Sequence, residues 1–200
     1  MNRIAQKLIW SLAIGILALG SAFVSRSSAS PTASINIRVT VQPNLSVAVD
    51  SDTYNFGLLP ANSSSISTRP ILVTNDSLGR TEDYTLSAAN AAGSQSTNWV
   101  LGSTNGADAF SLQTLSTGDA RPSDAEFAGV VSTLATVTRQ WNAASNHFAI
   151  SGSTFTGNNV VASGSNTRKL WFRILTPTTS TDDTEKTSVV TVTANSASTF

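Results

Sequence analysis

Alternation of apolar and polar residues is the dominant pattern past residue 30. In INIRVTV, Ile35, Ile37, Val39 and Val41 fall on one face and Asn36, Arg38 and Thr40 on the other, the period-two signature of a half-buried strand. Pro43 interrupts it because it has no amide hydrogen to give a ladder, and Leu45, Val47 and Val49 resume it. The same reading predicts strands over Pro70–Thr74, Asp83–Ala88, Asn98–Leu101, Ala109–Leu115, Val130–Thr138, His147–Ser151, Leu170–Leu175 and Ser188–Ala194. Ser123–Phe127 reads as one short helical turn. Turn residues separate these segments: Asn75-Asp76-Ser77-Leu78-Gly79, Asn105-Gly106, Gly157-Asn158-Asn159 and Gly164-Ser165-Asn166. About ten short strands so punctuated point to an antiparallel sandwich or barrel, and the fold class expected is all-β, an antiparallel Greek-key β-sandwich of about 8–10 strands.

Lys169–Leu175 (KLWFRIL) is apolar on both faces. Leu170, Phe172 and Ile174 are expected to point into the core with Val190, Val192 and Ala194 of the last strand. Trp171 and Arg173 then lie on the opposite face, so that face is expected to be covered, as on a central strand. Thr176–Lys186 follows as an exposed loop, with Pro177 stopping the strand. Ser and Thr supply more than a quarter of the residues. They alternate with Val, Ile and Leu, and the pleated solvent faces of strands suit them.

Residues 1–29 do not share this pattern. Arg3 and Lys7 precede an apolar run, Leu8–Val24, and small residues follow at Ser27-Ser28-Ala29, which predicts a signal peptide cleaved near Ala29. A single domain over 30–200 and a secreted or cell-surface location are the corresponding expectations. Past Ala29 the chain carries 12 − 3 = 9 basic residues against 12 acidic ones. A net charge of 9 − 12 = −3 with no basic cluster argues against nucleic acid as a partner, and against a membrane surface once the leader is gone. Met1 is the only sulfur-containing residue, so disulfides, thiolate nucleophiles and zinc–thiolate sites are excluded. Stability must come from burial and backbone pairing.

Tyr54-Asn55-Phe56-Gly57, Pro60, the segment into Ile71–Asn75, Gly79 and Tyr84–Leu86 together resemble the opening of Hydin-type immunoglobulin-like domains, which implies that the expected Greek-key sandwich is immunoglobulin-like. The closing run from Leu170 through Val189-Val190-Thr191-Val192-Thr193-Ala194 looks like the end of uncharacterised exported bacterial β-sandwich proteins. Trp99-Val100-Leu101 is similar to the WxL motif of cell-wall-binding proteins, for which the resemblance implies noncovalent attachment to peptidoglycan. That family has a second such motif near its C-terminus, where this chain has no Trp.

Catalytic constellations are sparse. A Ser-His-Asp triad would have to use His147, the one histidine, which sits in an alternating segment. Asp50, Asp52, Glu82, Asp83, Asp108 and Glu126 offer carboxylates for a glycosidase pair, but beside turn residues they read as solvated. Asp50 and Asp52, and Asp182, Asp183 and Glu185, have the oxygen density for calcium at loop ends. An EF-hand loop counted from Asp50 would need Gly and Glu where Asn55 and Ala61 stand. Trp99, Trp141 and Trp171, with Tyr54 and Tyr84, could stack on pyranose rings. No cofactor is expected. The expectation is a non-enzymatic structural or adhesive surface protein, such as a fibre, coat or appendage component. The first strand, Ile35–Val41, would pair with the sheet edge of a neighbouring copy or of other surface proteins. A carbohydrate- or cell-wall-binding module is the alternative and a hydrolase the third reading.

Overall fold

The computed structural model describes residues 36, 38–39, 44–93, 98–142, 147–150, 154–163 and 166–197. The expected leader, and the expected strand Ile35–Val41 apart from Asn36, Arg38 and Val39, lie outside them. Those three residues are exposed and belong to no regular element. All strands fall within the contact unit Gln42–Phe200.

The protein is all-β. Its elements in chain order are β1 (Val47–Val49), β2 (Ser64–Ile66), β3 (Ile71–Asn75), β4 (Glu82–Ala88), β5 (Ala92–Gly93), β6 (Val100–Leu101), β7 (Ala109–Ser116), α1 (Asp124–Ala128), β8 (Arg139–Gln140), β9 (Thr167–Leu175), β10 (Lys186–Thr187) and β11 (Val190–Ser196). A six-stranded sheet runs β1-β3-β9-β7-β6, with β2 also paired to β9. A three-stranded sheet runs β11-β4-β8, and β10 pairs with β5. Every named strand pair is antiparallel except β6 with β7.

The long strand β9 organises the larger sheet. One edge pairs with β7 at Leu170–Leu175, while the other pairs with β3 at Thr167–Leu170 and with β2 at Arg173–Leu175. Where β2 gives way to β3, the buried Ser67 bridges the gap: its amide donates to Phe172 and its hydroxyl accepts from the Phe172 amide. The Arg121 guanidinium donates to the Ile66 and Ser67 carbonyls there, so these polar groups stay paired.

Val73 of β3, Tyr84, Leu86 and Ala88 of β4, Phe110 and Leu112 of β7, and Leu170 of β9 share one core with Trp141, Phe148 and Val160. Phe172, Ile174, Val190, Val192 and Ala194 pack against it half-buried. The six-stranded and three-stranded sheets thus bury their apolar faces together, the main stabilising term in a chain without cross-links. The other face of β9 is covered too: Trp171 packs with Leu115 and Phe127, and with Ile66 and Val130 at the margin. Phe127 comes from α1, the helical turn expected at Ser123–Phe127. The Glu126 carboxylate accepts from the Ser123 amide and hydroxyl, which also holds its pKa below the ordinary range.

Two expected strands did not form. Over Val130–Thr138 only isolated bridges occur, Val131 to His147 and Thr133 to Gln113. Ser132 and Leu134 dock on β7 through two backbone bonds, after which the chain turns out to solvent. Over His147–Ser151, Phe148 takes φ +59°, which no strand accommodates. Its alternation marks a buried ring at a turn. The short strands β2, β5, β8 and β10 were not expected, being two or three residues long with at most one large apolar residue each.

Candidate functional site

The three tryptophans do not share a surface. Trp141 is fully buried, its ring 6.0 Å from that of Tyr84, and Trp171 is buried in the second cluster. Neither presents a free ring face to a sugar. Trp99 is half-buried, donates its indole N–H to the Ser180 hydroxyl and lies 6.4 Å from the Phe110 ring. Tyr54 is pinned between Thr68, whose amide donates to its phenolic oxygen, and the Phe56 ring.

The calcium candidates are dispersed in the same way. Asp50 accepts from the Leu72 amide, 3.9 Å from Arg69, and Asp52 is exposed. In the closing loop, exposure alternates. Asp182 turns inward, whereas Asp183 and Glu185 face solvent. The inward Asp182 carboxylate accepts from the Thr184 amide, the Thr184 hydroxyl and the ammonium of Lys186. Hydrogen bonding to Lys186 first, then to the Thr184 amide, lowers its pKa to about 2. A lysine thus occupies the place a cation would need. Among the described residues, no group of three or more His, Cys, Asp or Glu side chains is placed to hold a metal.

The other carboxylates are also held singly. Asp124 pairs with Arg173 at 2.8 Å, Asp83 accepts from the Asn159 amide, and Asp108 accepts from the Thr181 amide and hydroxyl. These contacts tie loops and α1 to the sheets. His147 is joined to Asn142 through reciprocal backbone bonds, its ring 6.2 Å from that of Phe148.

One cluster escaped the sequence reading. Glu82, expected to be solvated, is completely buried beneath the β3–β4 turn. Its Oε1 accepts from the Ser46 amide at 2.7 Å, and its charge adds to burial in raising the Tyr84 pKa. Beside it, buried Asn75 donates to the Arg80 and Val160 carbonyls and accepts from the Ser77 amide. The signal was present: Glu82 is in phase with Tyr84, Leu86 and Ala88, all inward residues of β4. This cluster fastens the chain entering β1 to the turn.

Strands β1 and β11 are outermost in their sheets, and β11 spans seven residues. Comparison with protein-family models and with curated proteins finds no match. Among the described residues, no helix is long and apolar enough to cross a membrane.

Proposed function

We propose that this chain is an exported, non-enzymatic structural or adhesive component of the cell surface. In this reading residues 1–29 are a signal peptide, and an immunoglobulin-like Greek-key β-sandwich follows. The shared core of the two larger sheets supports the sandwich, and the charged start and apolar run of the leader support export. The observation that carries the role is β11: a seven-residue outermost strand with no charged residue and no proline. Sheet proteins that stay monomeric usually blunt such an edge with lysine, proline, a bulge or a covering loop. A strand that among the described residues pairs on one side only is suited to pairing with another chain, while Trp141 and Trp171 are buried and Asp182 is bonded within the fold.

The test is location and form in the native organism. Immunogold labelling and fractionation are expected to place the protein outside the cytoplasm in assemblies larger than a monomer. A cytoplasmic protein, or an exported one found only as free monomer, would overturn the reading.

A further inference from the structure

We propose that Ile35–Val41 of one copy adds as a fourth strand to the free edge of β11 in a second copy, linking copies head to tail. This rests on the reading above and names both the donor segment and the receiving edge.

The ladder phase shows which groups are free. The Ala89 amide donates to the Val189 carbonyl at 2.9 Å, and the Ala197 amide donates to Thr81 at 3.2 Å. With Val190 opposite Ala88 and Ser196 opposite Glu82, the odd-numbered residues of β11 bond to β4. In an antiparallel ladder the alternate residues then turn their N–H and C=O groups outward. Those are Val190, Val192, Ala194 and Ser196, and among the described residues none of their outward backbone groups is bonded.

The donor matches in length, period and composition. INIRVTV has seven residues, as β11 has, with an apolar side chain at every second position. Residues directly opposite across a sheet point to the same face. Setting Ile35, Ile37, Val39 and Val41 beside Val190, Val192, Ala194 and Ser196 would therefore extend the core face. Asn36, Arg38 and Thr40 would fall on the wet face with Thr191 and Thr193. Val39 is 84% exposed, so its side chain is not buried against its own chain. The other outermost strands of these two sheets are shorter: β1 has three residues, and β6 and β8 two each.

The experiment uses the full chain and two crippled forms, followed by sedimentation velocity over a concentration series. Val39→Asp spoils the donor. Val192→Pro spoils the acceptor, removing an outward N–H while leaving the bonds of Thr191 and Thr193 to β4; Ala194→Lys is the second acceptor variant should the proline prevent folding. The native sequence is expected to form a concentration-dependent series of oligomers, and each variant alone only monomers. Mixing donor-spoiled and acceptor-spoiled copies should give one-to-one dimers and nothing larger, because one junction remains possible.

Val39→Asp protein that still assembles would point to β11 pairing with β11 and overturn the proposal. So would folded acceptor variants that assemble normally, or a mixture that stays monomeric. If the native chain assembles and both variants match it, this edge is discarded while the surface-component reading stands. A native chain that is monomeric at every concentration overturns the proposal, and the labelling experiment then decides the broader reading.

Discussion

Replacing Phe127 with Ala tests how the second face of β9 is covered. Phe127 and Leu115 are fully buried, and Trp171 is buried with them. Burying a phenylalanine contributes about 1.5–3 kcal/mol by transfer, and the cavity left by truncation raises the expected loss to about 3–5 kcal/mol. Where the loss falls in that range depends on α1. The helix has five residues, far below the roughly 12–15 that a free helix needs in water. Its hold on the rest of the fold is Phe127, the buried bond from the Ser132 hydroxyl to the Phe127 carbonyl, and the Asp124–Arg173 pair, which is worth about 1 kcal/mol at most because Asp124 is largely exposed. Without the ring, α1 should detach, so that part of the cavity fills with water and the global loss sits near 3 kcal/mol. Detachment would expose Trp171. Urea titration should show the lowered midpoint, and acrylamide should quench a tryptophan that is shielded in the parent. A Trp171→Phe control isolates that signal from Trp10, Trp99 and Trp141. A stability loss below about 1 kcal/mol with Trp171 still shielded would refute this account of the covered face.

Three further outcomes follow from the packing. A Cβ on Gly157 would lie 2.8 Å from ring atoms of Trp141, so Gly157→Ala should cost about 1–3 kcal/mol by overpacking; unchanged denaturation would show that the indole has room to move. Glu82→Gln keeps an acceptor for the Ser46 amide and should be tolerated, whereas Glu82→Leu leaves that N–H unpaired and should cost about 1–3 kcal/mol more; equal midpoints for the two variants would contradict this. Asp182 has its pKa depressed to about 2. A depressed carboxylate stabilises the fold above its unfolded pKa, and that contribution is lost as pH falls through the folded value. Thermal midpoints should therefore drop between about pH 4 and pH 2 by less in Asp182→Asn than in the parent. Superimposable pH profiles would sink the assignment.

The parts of the fold that depend on local alternation could be read from the sequence. Asp83–Ala88, Ala109–Leu115, Leu170–Leu175 and Ser188–Ala194 all lie within or largely within observed strands, because each has a period-two apolar face long enough to define a register. The helical turn at Ser123 was legible through its Ser and Glu spacing. What failed was non-local. Nothing within Val130–Thr138 says that Ser132–Leu134 reach β7 while the residues after them turn away, and nothing in Asn-His-Phe-Ala says that Phe148 takes a left-handed conformation. The candidate sites suffered most, because aromatic and acidic residues were read by type. Trp141, Trp171 and Asp182 owe their positions to contacts with residues far along the chain or to which way a loop residue turns.

Burial across the three-stranded sheet bears on whether β11 is complete as it stands. On its core face, Glu82, Tyr84, Leu86 and Ala88 of β4 are all buried. One strand outward on the same face, Val190, Val192 and Ala194 of β11 are only half-buried. Chemistry does not account for the step, since valine buries at least as readily as tyrosine or glutamate. Position does: β4 has a neighbour on each side and β11 has one. A strand added beyond β11 would move these three residues toward the environment of β4, removing apolar surface from water and pairing the outward amides and carbonyls at once. A core of this kind gains from an added strand, and this gain in burial is the physical support for the proposed addition of Ile35–Val41 to β11.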